Sequence, residues 1–133
     1  MSIRDYDQVL ALWESAPGVH VGPSDDREGI RQYLRRNPGM SLVAKEGRRV
    51  VGAILCGHDG RRGVLHHLAV ADSHRRRGIG RALVERGLKC LKKAGIRRSF
   101  IFVLSSNKGA LAFWKKLGLK TYDGVLCMGI NLA

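Results

Sequence analysis

Gly63-Val-Leu-His-His-Leu-Ala-Val-Ala-Asp-Ser-His-Arg-Arg-Arg-Gly-Ile-Gly-Arg-Ala-Leu83 is the stretch around which the chain is organised. An apolar strand, Val64 to Val70, runs into a short turn that carries Arg75, Arg76 and Arg77. Gly78 and Gly80 then open a helix. A helix N-terminus offers unpaired N–H groups and partial positive charge, which suits an anion. Glycines let the backbone come close to that anion, and the three guanidinium groups add full charges at the same place. The stretch reads as a phosphate cradle. The alternative is a glycine-containing strand-to-helix turn with solvated arginines.

Two kinds of cradle are excluded. A Walker loop needs Lys-Ser or Lys-Thr after its glycines, and none follows here. A dinucleotide fingerprint needs a third Gly or Ala where Leu83 stands, and an acidic residue ending the next strand, where Phe100 to Leu104 has none. What remains is Arg-x-x-Gly-x-Gly, Arg75 to Gly80, after a strand. It resembles the pyrophosphate loop of the GNAT superfamily of N-acetyltransferases, Gln/Arg-x-x-Gly-x-Gly/Ala.

Size and composition bound the rest. A chain of 133 residues with 44% apolar side chains is one globular domain with a sizeable core. No run reaches the roughly 18 apolar residues of a membrane span. The N-terminus has no signal-peptide core, so a cytoplasmic protein is expected. Cys56, Cys90 and Cys127 sit in apolar stretches and read as buried, reduced thiols. A net charge of +13 favours an anionic partner without naming it.

Taken in order, Asp5 or Asp7 caps a first helix with Val9, Leu10, Leu12 and Trp13 on its apolar side. Ala16 to Pro23 is a loop. A second helix starts near Asp25, with Glu28 as capping-box partner and Ile30, Tyr33 and Leu34 as its buried stripe, and Asn37-Pro38-Gly39 stops it. Strands at Met40 to Lys45 and Arg49 to Gly57 form a hairpin over Glu46-Gly47-Arg48, and Asp59-Gly60 turns into the strand ending at Val70. A helix from Gly78 to Ala94 buries Ile79, Leu83, Cys90 and Leu91. Then come a strand at Arg98 to Leu104, a helix capped by Asn107, and short strands at Leu119 to Tyr122 and Val125 to Asn131.

A second stretch supports the resemblance. Asn107-x-x-Ala110-x-x-Phe113-Trp114-x-x-x-Gly118-Leu119 is similar to the family's Asn-x-x-Ala-x-x-Phe-Tyr-x-x-x-Gly-Phe, one strand after the phosphate loop. The resemblance covers nearly the whole chain. It implies a single-domain α/β fold: a mixed sheet splayed between two parallel strands, helices on both faces, and a first strand that is short or absent. That missing edge leaves room for a homodimer.

The resemblance also implies acetyl-CoA as donor and a primary amine as acceptor, on a small molecule, a protein N-terminus or a lysine; no metal is expected, because Cys56-x-His58 with His66 and His67 lacks paired metal-site spacing. Leu68, Ala69 and Val70 would lie on an open strand edge along the pantetheine arm. Amides of Arg76, Gly78, Gly80 and Arg81 would face the pyrophosphate beside the guanidinium groups of Arg75 and Arg77. Asn107 would reach the pantetheine or simply cap its helix, and Trp114 would pack on the cofactor or in the core. A backbone N–H near Leu68 or Ala69 would hold developing oxyanion charge.

The acceptor arrives as an ammonium and must lose a proton to a group titrating near neutrality. His66, nine residues before Arg75, stands at the spacing of the proton-relay histidine in arylalkylamine acetyltransferases, to which Leu65 to Val70 looks similar. A hydrogen-bonded core histidine is the alternative. His67 should point to the other side of the sheet. Glu46 is a weaker candidate base. Trp114 replaces the family's tyrosine acid, and an indole N–H does not serve as one, so Ser105, Tyr122 or water is left. Asp25, Asp26 and Glu28 would attract a cationic amine or cap their helix, and the loop Ala16 to Pro23 and the turn Asp123-Gly124 would border the acceptor pocket.

Two other readings stand beside this one. The dispersed arginine pairs suggest a nucleic-acid or ribosome-associated binder, although aromatics total only 6% and no base-stacking pattern interleaves the charges. The missing tyrosine suggests an acyl-CoA sensor without turnover.

Overall fold

The computed structural model describes residues 1–132. By its contacts the chain parts into two compact units, Met1–Phe102 and the segment from Val103 on.

The first unit opens with a one-turn 3-10 helix, Ile3–Asp5, and α1 (Tyr6–Ser15). A second 3-10 turn, Pro23–Asp25, leads into α2 (Arg27–Arg36). Then come β1 (Leu42–Glu46), β2 (Arg49–His58) and β3 (Gly63–Val70). A 3-10 turn at Asp72–His74, α3 (Ile79–Lys93) and β4 (Ser99–Ile101) complete it. The sheet order is β1-β2-β3-β4, antiparallel except for the parallel β3–β4 pair that the α3 crossover demands. No strand precedes β1 among the described residues.

Helices cover both faces of this sheet. On one face Val9, Leu12 and Trp13 of α1 and Ile30 of α2 form a core with Val50, Ala53, Leu55 and Ala69. On the other lies α3. A side chain at Gly52 would meet Ile79 and Leu83, and one at Gly87 would meet Leu65 and Cys56. Glycine at Gly52 therefore sets how closely helix and sheet approach, whereas a Cβ at Gly87 would make an ordinary contact.

Several sequence expectations need correction. Asp5 precedes α1 without a side-chain cap bond; its carboxylate accepts from the Ser2 N–H at 2.9 Å and pairs with Lys45 at 2.9 Å. The cap of α2 is Asp26, whose Oδ1 accepts from the Gly29 N–H at 2.7 Å, while Glu28 pairs with Arg31 instead of closing a capping box. The strand expected to run from Arg98 to Leu104 is only Ser99–Ile101. Apolar content marks a strand, but its length is set by how far a partner runs alongside.

In the second unit Asn107 caps α4 (Lys108–Lys116), accepting from the Ala110 N–H at 3.0 Å. Neither short strand expected after it forms: residues 119–132 are irregular around the Asp123-Gly124 turn. Val125, Leu126, Met128 and Ile130 are exposed, as is Cys127, and Cys90 is only half-buried. Of the three thiols expected inside, Cys56 alone is buried. Apolar content gives a segment strand propensity, and without a partner strand it has nothing to pair with.

Gly29 gives a test of the α2 junction. Helix propensity favours alanine there by about 1 kcal/mol. A Cβ, however, would press on the backbone carbonyl of Ser24, inside van der Waals contact. Backbone does not step aside, and overpacking of this kind costs about 1–3 kcal/mol. Gly29→Ala should therefore lower the melting temperature by several degrees in a thermal scan. An unchanged or raised value would show that the Ser24–Gly29 approach is not held this tightly.

Candidate active site

β3 is paired to β4 only at Gly63–Ser99, Val64–Phe100 and Leu65–Ile101. From His66 to Val70 no residue of β4 runs beside it, so the sheet opens there. On its other side β3 continues to pair with β2 as far as Val70–Gly52. Leu68 and Ala69 therefore have no β4 residue beside them, so an extended amide-bearing chain can add there as a strand, while the Val70 carbonyl is taken up by Arg75.

That edge leads directly into the turn before α3. Arg75 anchors the turn: its Nε donates to the Val70 carbonyl at 3.1 Å and its guanidinium pairs with Asp72 at 2.6 Å. Arg76 and Arg77 are exposed, and Arg76 takes the left-handed conformation with φ 61°. Gly78 follows at φ 81° as the N-cap of α3, and a side chain there would meet open space. The first ladder bond of α3 is Ala82 N–H to Gly78 carbonyl at 3.0 Å, so the N–H groups of Ile79, Gly80 and Arg81 precede the ladder. No acidic residue stands in this first turn. The donor set is made for an anion.

The face opposite α3 carries an open cavity of about 750 Å³. Its floor is Leu55, His66 and His67; its rim includes Asp25, Asp26 and Glu28. Here one sequence expectation fails instructively. His67 was expected across the sheet from His66, yet both line this cavity. The cause is a bulge. Leu55 opposes His66 and Ala53 opposes Ala69, so Ile54 alone faces both His67 and Leu68. His67 absorbs the extra residue in the left-handed region at φ 51°. Leu65 consequently packs toward α3 while Ala69, four residues on, joins the core under α1. In a regular strand the two would share a face.

His66 stacks on Phe102 with centroids 6.3 Å apart and meets Tyr33 edge-on at 6.3 Å. Burial lowers its proton affinity from the ordinary 6.5; His67 acts in the same direction and Asp25 opposes them. The ring is therefore neutral at pH 7 and able to accept a proton. Glu46, the other candidate base, is engaged elsewhere: its Oε2 accepts from His74 Nε2 at 2.8 Å. That hydrogen bond, foremost, holds its carboxyl below the usual range, which suits a tether better than a base. Cys56 is no nucleophile, because burial pushes its thiol up to about 12.

The sequence matches a known family over most of its length. Residues 6–119 fit the model of the acetyltransferase (GNAT) family. The chain belongs to that family. An acetyltransferase of Sodalis glossinidius is 34% identical over 129 residues, 96% of this chain and 89% of its own length. Among solved structures, the PaiA N-acetyltransferase of Thermoplasma acidophilum in complex with coenzyme A superposes with a TM-score of 0.80 at 19% identity, covering 94% of this chain and 89% of its own. Ard1 of Thermoplasma volcanium gives 0.77 at 23% identity over 89% of this chain and 78% of its own. At such identities the two solved structures show the shared fold alone.

The remaining sequence candidates of this GNAT acetyltransferase lie in the second unit. Ser105 is an exposed turn residue and Tyr122 is 55% exposed. Asn107 uses its side-chain oxygen on the helix cap, and Trp114 is buried with its ring edge-on to Phe113 at 5.1 Å. Among the described residues no group of three or more His, Cys, Asp or Glu could hold a metal, and no helix is long and apolar enough to cross a membrane. The site residues that the GNAT motifs do not reveal are His67, Tyr33 and Phe102. Only a tolerance of histidine for the left-handed region hints at the first, and nothing local hints at the other two.

Proposed function

We propose that the chain is an N-acetyltransferase that takes its acetyl group from acetyl-CoA and passes it to a primary amine. One observation carries the reading: the stretch of β3 beyond its last β4 partner, from His66 on, leads straight into the anion-ready turn of Arg75 to Gly80. Acetyl-CoA fits that sequence of groups, with an anionic diphosphate at one end and an arm of two amides behind it. The absence of acidic side chains from the first turn of α3 and the open space over Gly78 agree with it.

Each part of the site then has a task. The amides of Arg76, Gly78, Gly80 and Arg81, with the guanidinium groups of Arg75 and Arg77, hold the diphosphate. The edge of Leu68 and Ala69 pairs with the arm. The coenzyme supplies an activated thioester, and a main-chain N–H of Leu68 or Ala69 offers a hydrogen bond to the negative charge that develops on its carbonyl oxygen. His66, neutral at pH 7, takes the proton the ammonium must lose. The departing thiolate is stable enough to need no side-chain acid, which makes the tryptophan at Trp114 tolerable. The acidic rim of the cavity, on a chain of net charge +13, favours a cationic acceptor.

The test is binding followed by turnover. Acetyl-CoA at a hundredfold excess over Kd should stabilise the fold by about 2.7 kcal/mol, visible as a rise of roughly 10 °C in melting temperature. A panel of diamines, arylalkylamines, aminoglycosides and peptides is then screened for release of free CoA thiol. No thermal shift at millimolar acetyl-CoA would sink the proposal.

A further inference from the structure

We infer that His67 and Asp25 are positioning residues of this site: as a hydrogen-bonded pair they lock the β3 bulge to the loop before α2, and so fix the ring of His66 in the cavity. The inference rests on the proposed role of His66; it concerns His67, to which that reaction gives no part, and a contact of Asp25 that goes beyond its share in the acidic rim.

Among the described residues His67 is one of two non-glycine residues with positive φ, and the other, Arg76, lies in the turn before α3. Left-handed backbone is strained at a residue with a side chain, so something must hold it there. Two contacts do. The His67 ring meets Trp13 edge-on with centroids 5.0 Å apart. Its Nε2 lies 3.0 Å from Asp25 Oδ2.

Asp25 is in turn pinned from three sides. The same Oδ2 accepts from the Gly22 N–H at 2.8 Å, and the Asp25 carbonyl accepts from the Tyr6 hydroxyl at 2.8 Å. One residue therefore joins α1, the loop before α2 and the bulge of β3. Both partners are mostly buried, their side chains 20% and 14% exposed, so water competes little for the bond.

The consequence for His66 follows from the bulge. Were His67 released into regular strand geometry, the residues on either side of it would change their relative faces. His66 or Ala69 would then leave its present surroundings. The pair also sets the field at His66: the two imidazole centroids are 6.3 Å apart. The charged and titratable groups lining the cavity with His66 are Asp25, Asp26, Glu28, Tyr33, Arg36 and His67.

Ring spectra of the full chain, labelled with 15N and recorded from about pH 5 to 8, test this independently of activity. His66→Gln assigns the His66 signals. His67→Gln keeps a donor for Asp25 and removes the imidazole, and it should move the His66 midpoint upward, because His67 lowers it and the remaining Asp25 carboxylate raises it. Asp25→Asn serves if His67→Gln does not fold. It should abolish the slowly exchanging Nε2–H signal of His67 and disturb the His66 tautomer. His66 signals unchanged in both variants would overturn the inference.

Kinetics separate this from the function itself. If the wild type acetylates an amine, His67→Gln should shift the acid limb of kcat/KM with the spectroscopic midpoint and leave the acetyl-CoA thermal shift intact. If the wild type acetylates nothing, the enzyme reading fails, and the spectra still decide whether the pair positions His66.

Discussion

Gly80→Glu is expected to abolish the acetyl-CoA-induced rise in melting temperature while leaving the unliganded protein at least as stable as the wild type. The two halves of this expectation have separate causes. Gly80 is the second residue of α3 and precedes the first ladder bond of that helix. Glycine in a helix costs about 1 kcal/mol relative to good helix formers, and a carboxylate in a first turn gains about 0.3–1 kcal/mol from the helix dipole. The fold therefore benefits. The diphosphate would meet an anion where it now meets bare N–H groups, and the roughly 2.7 kcal/mol of linkage at a hundredfold excess should disappear. Thermal scans of both proteins with and without acetyl-CoA read the result directly. A variant that kept the full shift would show that the coenzyme is held elsewhere.

Replacing His66 by glutamine should act on the opposite end of the site. General base catalysis is worth about 10²–10⁴ in rate, so kcat at neutral pH should fall by that order while the acetyl-CoA shift persists. The pH dependence carries the sharper signature. Burial, reinforced by His67, holds the proton affinity of His66 below the ordinary 6.5. The base is therefore competent above that lowered midpoint, and the wild-type rate should be lost as pH falls through it. The same sign holds for stability. A group whose folded value is depressed resists protonation, so any contribution it makes is present at neutral pH and fades in acid. In His66→Gln the acid limb of the rate should vanish along with the rate itself. A variant that is slower but keeps the wild-type limb would remove His66 from proton transfer.

What the sequence made legible was whatever depends on neighbours along the chain. Arg75 to Gly80 announce a turn that must favour an anion, because φ above zero at Gly78 and free N–H groups at a helix start are local consequences of local residues. Asn107 caps α4 for the same reason, and the hairpin over Gly47-Arg48 needs only its own turn. The parallel β3–β4 pair follows from the crossover helix between them.

The expectations that failed depended on partners distant in sequence. Period-two alternation put His67 on the far side of the sheet; the bulge against Ile54 put it beside His66. Nothing in Leu65 to Val70 itself encodes that extra residue. It arises because Leu65 must pack toward α3 and Ala69 under α1, and one residue has to absorb the mismatch. The C-terminal segment is an apolar run like a strand and forms none, since pairing requires a second strand and not a composition alone.

The amino-acid sequence by itself determined the family, the order of the elements and the anion-binding turn, because each is written in contiguous residues whose backbone preferences act at once. Only the tertiary structure decided which side chains share the cavity, how far the sheet opens beyond Leu65, and that Asp25 meets His67 across 42 positions of chain. Those outcomes are compromises among helices packed on two faces of one sheet, and such a compromise exists only once all of them are in place.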